Sequence, residues 1–110
     1  MSDFGSIILF KKKEGKFTDE DINFIEGKLI EIVTEEEFPS NITDGNFSEL
    51  KQWEENVYCS MITEYYDDEN ADEIREFAED YDLPDCERII EMLTLALGDN
   101  FEMTPKFEEW

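Results

Sequence analysis

The side chains able to do chemistry in this chain are nearly all carboxylates. Asp and Glu number 31 against 9 Lys and Arg, and there is no His. Their densest run, Glu64 to Glu91, holds 13 acids against Arg75 and Arg88. Inside it, Asp68, Asn70, Asp72 and Glu79 fall at positions 1, 3, 5 and 12 of a twelve-residue stretch. That is the spacing of the oxygen ligands in an EF-hand calcium loop. Two residues oppose the reading: Glu73 stands where the sharp turn needs Gly, and Arg75 where an apolar residue is usual. Asn70 to Tyr81 also reads as helix, which would carry those ligands onto different faces. These four residues are the metal candidates, for a divalent cation, and no cofactor is expected.

Catalysis has less to work with. Without His, the commonest general base and the usual nitrogen ligand for zinc are both missing. Carboxylates are so numerous that no pair stands out as acid and base. The sequence has no Gly-rich phosphate loop, nucleophile elbow or Cys–His arrangement. Cys59 and Cys86 lie 27 residues apart, without a second pair to form a zinc or redox motif, and read as buried thiols. The chain is expected not to be an enzyme.

The acid is unevenly placed, and this points to binding. Residues 1 to 33 carry 7 acids and 5 bases, a net of −2, whereas residues 34 to 110 carry 24 acids and 4 bases, a net of −20. Solubility of a small domain needs a net charge of only about 2 to 8 in magnitude. A one-sided field of this strength repels nucleic acid and anionic membranes, and steers basic proteins inward. Glu64, Asp67, Asp68, Glu69, Asp72 and Glu76 are the candidate contacts, with Trp53, Tyr65 and Tyr66 as aromatic anchors. The Lys11-Lys12-Lys13 run with Lys16 is the only basic patch, and reads as relief of local repulsion or as a surface set against the acidic half.

The expected function is therefore a non-enzymatic protein-binding domain whose acidic face docks a basic partner. Its most concrete form is a bacterial immunity-type inhibitor, which presents carboxylates where phosphates would sit in the cationic groove of a nuclease toxin. Two alternatives stay open. One is a calcium or other divalent-cation binder; the other is a small homo-oligomer, a homodimer for example, with a solvated acidic face and no special partner. Met1-Ser2-Asp3 is not followed by a basic leader and an apolar core, and no run of about 18 apolar residues occurs, so a cytoplasmic location without a membrane span is expected.

Such a chain must still fold to position anything. Its formal charge of −22 opposes compaction, but Leu, Ile, Val and Phe make 29 of 110 residues. That share is above the roughly 20% below which highly charged chains stay disordered. The length fits one domain, residues 1–110.

Phe4 to Lys11 reads as a strand, with Ile7 to Phe10 apolar on both faces. Thr18 and Asp21 form a capping-box variant, with Phe17 and Ile22 as a hydrophobic staple. Ile22, Ile25, Leu29 and Ile32 then make one helical stripe to about Thr34. Gly27 inside it reads as a mark of close approach to a sheet. Pro39 to Asn46 is a loop. Residues 48–66 favour a hairpin, Ser48 to Trp53 and Val57 to Tyr66, over one long helix. Asn70 and Glu73 cap a short helix whose inner face is Ile74, Phe77, Ala78 and Tyr81, and Pro84 separates it from a second with the stripe Cys86, Ile89, Ile90, Leu93 and Leu97, stopped by Gly98. Phe101, Met103, Pro105 and Phe107 alternate as a strand, which the proline confines to an edge.

The order predicts an α+β two-layer sandwich, ferredoxin-like βαββ(αα)β with an antiparallel sheet, the alternative being a mainly α fold with a small sheet. Helices cover one face of such a sheet. The other would keep several apolar groups, to be covered by the long loop, the extra helix, a second copy or a partner.

Overall fold

A computed structural model describes residues 4–35, 49–65 and 70–109. The most apolar run of the sequence becomes the middle of the sheet. Strand β1 (Phe4–Lys12) lies between β3 (Val57–Met61) and β4 (Phe101–Glu109), and β2 (Leu50–Glu54) borders β3. The order is β2-β3-β1-β4 with every neighbouring pair antiparallel. Pro105 sits in the edge strand β4, where a missing N–H costs no ladder bond. The chain forms one α+β domain, and its radius of gyration of 13.6 Å is that of an ordinary folded domain, which for this length is about 13 Å. The charge does not swell it.

Helix α1 (Asp19–Glu35) and helix α3 (Leu83–Leu97) cover one face of the sheet. Ile8 and Phe10 of β1 meet Ile25, Leu29 and Val33 of α1, Ile62, and Cys86, Ile89 and Leu93 of α3 in a single buried cluster. Each large aliphatic side chain enclosed there contributes roughly 1.5–3 kcal/mol relative to exposure. This cluster is what offsets the repulsion among the carboxylates.

The start of α1 forms as its sequence dictates. The Asp21 N–H donates to Thr18 Oγ1 at 3.1 Å and the Thr18 N–H donates to Asp21 Oδ2 at 3.0 Å, a reciprocal capping box. The Phe17 ring packs against Tyr58 and Phe101, at centroid distances of 4.7 and 5.5 Å. Gly27 is not the expected point of close approach. It lies on the solvent side of α1, where an added Cβ would meet nothing within 4 Å. The tight glycine is Gly5, where a Cβ would fall 1.9 Å from the Thr63 carbonyl oxygen.

Residues 50–61 form the hairpin, closed through Asn56 at φ +59°, a left-handed conformation that Asn tolerates. The Asn56 side chain also accepts from the Phe17 N–H at 3.0 Å and donates to the Gly15 carbonyl at 3.1 Å, tying the hairpin to the β1–α1 loop. Strand β3 ends at Met61 and not at Tyr66, because Ile62 and Thr63 both donate to the Ser6 carbonyl, at 2.9 and 3.2 Å, and the regular ladder stops. The expected Pro39–Asn46 loop, and Tyr66 with it, lie outside the described residues.

Pro84 does not divide two helices. Helix α2 (Ala71–Phe77) runs through a π-turn (Ala78–Asp82) into α3, with helical dihedrals at the junctions. The Leu83 N–H reaches the Ala78 carbonyl, five residues back. The wider turn makes room for a proline ring that would strike the carbonyl four residues earlier in a regular helix. Asn70 stands at the N-cap of α2 but makes no side-chain capping bond, and Gly98 ends α3 at φ +76° as its position suggests.

Candidate binding surfaces

On the sheet face away from the helices, alternation places a second apolar set. Register places Ile7 opposite Met61 and Leu9 opposite Cys59. Lys51 stands opposite Cys59, and alternation puts Trp53 on the same side, where it stays 38% exposed. Ile7, Lys51, Gln52, Trp53, Cys59, Met61 and Glu64 line a groove of about 400 Å³. Two expected contact residues, Trp53 and Glu64, thus come together here. The groove holds no activated nucleophile: burial pushes the Cys59 thiol up, outweighing the nearby charge of Lys51.

Tyr65 is turned inward. Its hydroxyl donates to Asp82 Oδ2 at 2.5 Å, and Asp82 is only 1% exposed, in the π-turn. Tyr65 therefore holds a buried carboxylate and joins the end of the β3 segment to the helix. Asp82 was hidden in the sequence by its surroundings, since nothing in composition separates it from Asp80 or Asp85. The one local signal is Pro84 two residues on, which forces the turn that buries it. Cys86, one turn further, is also inert: burial first, then the charges of Asp82, Asp85 and Glu87, push its thiol far above the usual range.

The acidic face is carried by α2 and the π-turn. Asp72, Glu73, Glu76, Glu79 and Asp80 are exposed, and among the described residues none of them is in an ion pair. Arg75, the cation of this helix, is not spent on them; its guanidinium lies 5.3 Å from the centroid of the Phe107 ring on β4. Phe77 and Tyr81 do not face inward as expected; they stand 49% and 61% exposed on this segment with ring centroids 4.8 Å apart, while Ala78 is buried. Of the expected contacts, Asp72 and Glu76 belong to this face, while Tyr66, Asp67, Asp68 and Glu69 lie outside the described residues.

The same helix separates the metal candidates. Asp72 and Glu79 sit two turns apart, roughly 10 Å along the axis. Among the described residues no group of three or more Asp, Glu or Cys side chains is placed to hold a metal ion; Asp68 is outside them. No described helix is long and apolar enough to cross a membrane. No protein-family model matches the chain, and neither does any curated protein or solved structure.

Proposed function

We propose that the chain is a non-enzymatic protein-binding domain that docks a basic protein, in its most concrete form an immunity-type inhibitor seated in the cationic groove of a nuclease toxin. The observation that carries this reading is the row of exposed, unpaired carboxylates on α2 and the π-turn beside an exposed aromatic pair. Carboxylates facing water cost little in the free protein and gain charge-assisted bonds when a cationic groove closes over them. The summed field of −22 would raise encounter rates by roughly 10 to 10³ at low ionic strength. Two buried, free thiols suit the reducing cytoplasm, where such an inhibitor would act.

The fold is read as ferredoxin-like. What supports this is the order β2-β3-β1-β4, with α1 joining β1 to β2 and the helices on one face. Such an architecture hosts many functions, so it positions the surface and does not name the partner.

The test is an affinity capture from the source cell, washed at low and at high salt. A stoichiometric basic protein that stays at low salt, leaves at high salt, and loses activity when recombined with this chain is the expected result. Recovery of no such protein would sink the reading.

A further inference from the structure

Three aromatic rings elsewhere in this molecule carry a cation from their own chain. Lys28 lies 5.7 Å from the centroid of Phe24, its neighbour one helical turn away on α1. Lys12 lies 6.0 Å from that of Phe101, and Arg75 5.3 Å from that of Phe107. These distances fall within the range in which a cation is attracted to the negative face of a ring. The exposed Phe77–Tyr81 pair is arranged differently. At the position where α1 places Lys28, α2 and the π-turn place a second ring, and among the described residues no cation covers either one. Tyr81 is the more exposed of the two, at 61%.

The surroundings of the pair are of one sign. Glu73 and Asp80 stand at i−4 and i+3 from Phe77, spacings that share a helix face, and both are exposed. The rings are tilted by 35° at 4.8 Å, a shelf two rings long edged by carboxylates. Arginine suits such a shelf better than lysine. Its planar guanidinium stacks on a ring while its edge donates in a fork to a carboxylate, whereas an ammonium is a compact, strongly hydrated point charge.

We propose that the Phe77–Tyr81 pair, with Glu73 and Asp80 beside it, is the anchor that seats arginine side chains of the basic partner. This rests on the reading of the chain as a binder of basic protein, and it moves the centre of docking from Trp53 and Tyr65 to the outward side of α2 and the π-turn.

The probes are nona-arginine and nona-lysine peptides, equal in charge, titrated into the full chain at about 0.15 M salt, where exposed charges are screened beyond about 8 Å. Ring resonances of Phe77, Tyr81 and Trp53 are followed by NMR. The expected result is movement of the Phe77 and Tyr81 signals, a still Trp53 indole, and about fivefold tighter binding of the arginine peptide. The double substitution Phe77→Leu with Tyr81→Leu, on an exposed surface, should fold normally and lose the arginine preference. Unmoved Phe77 and Tyr81 signals at saturation overturn the anchor whatever the affinities, and so does an arginine preference that survives in the double variant. Capture from the source cell separates this from the reading beneath it. A basic protein recovered equally by wild type and double variant keeps the partner and removes the anchor. If neither recovers one, the partner reading fails, while the peptide titration still decides the anchor.

Discussion

Two halves of one continuous helix behave as different objects. In α3, Cys86, Ile89 and Leu93 are fully buried against the sheet and α1. In α2, among seven residues, Ile74 is half-buried, and Asp72, Glu73, Arg75, Glu76 and Phe77 face water. Backbone hydrogen bonding is continuous through the π-turn, so helix formation alone does not distinguish them. The difference lies in whether an apolar stripe meets another apolar surface. Where it does, the helix belongs to the core; where it does not, the helix is free to display its side chains.

The largest break in this contrast should come from the packed half. Leu93→Ala removes a fully buried side chain and is expected to cost about 2–5 kcal/mol. That is a large part of the roughly 5–15 kcal/mol that holds a domain of this kind together. Glu76→Ala, in the displayed half, should change stability by less than about 0.5 kcal/mol. Urea unfolding of the two variants checks the pair, and equal losses would deny that the halves differ.

The junction is the next lever. Tyr65→Phe deletes the hydroxyl that donates to Asp82 and leaves one hydrogen bond fewer on a buried carboxylate. A loss of about 1.5–3 kcal/mol is expected, because bonds to charged groups are worth more than neutral ones. Hydrogen exchange should show the loss concentrated at the π-turn and α2, with α3 amides least affected.

Helix α1 serves as the control, a helix in which two acids, Asp21 and Glu31, are paired with Lys12 and Lys28. Gly27→Ala adds a Cβ in open space on its solvent side and should stabilise the protein by about 0.5–1 kcal/mol, seen as a higher urea midpoint. A smaller effect concerns Asp21. The hydrogen bond from Lys12, at 2.7 Å, is the first cause holding its carboxyl below the ordinary value of 3.8, helped by the Thr18 backbone and hydroxyl and opposed by desolvation. Its folded pKa is depressed, so the stability it lends is present above the unfolded value and is lost as pH falls through the folded one. Lys12→Met should return the Asp21 titration, followed by NMR, toward 3.8. The acids of α2 have no such partner to lose.

Much of this contrast was legible in the residues, and the exceptions have causes. Thr18 with Asp21 spelled the capping box because both bonds are local. Cys86, Ile89 and Leu93 spelled a buried stripe because helical period needs no distant information. Gly27 misled, since a glycine marks freedom of backbone as readily as closeness of a neighbour, and Gly5 was the one held against Thr63. The tie of Asn56 to Phe17 and the bond of Tyr65 to Asp82 were missed because the partners lie 39 and 17 residues apart in the chain. No pattern of spacing announces a partner that far off.

By itself, the sequence determined the first strand and the first helix, that the apolar content suffices to fold against a charge of −22, and that the acid gathers after residue 33. These follow from period, propensity and composition, which are properties of neighbours. Only the tertiary structure decided which charges and rings are answered within the chain. Arg75 turns to Phe107, Tyr65 turns to Asp82, and Phe77 and Tyr81 are left outward among carboxylates. The physical reason is that pairing depends on which surfaces the core brings within a few ångströms, and the core is assembled from residues distant in sequence.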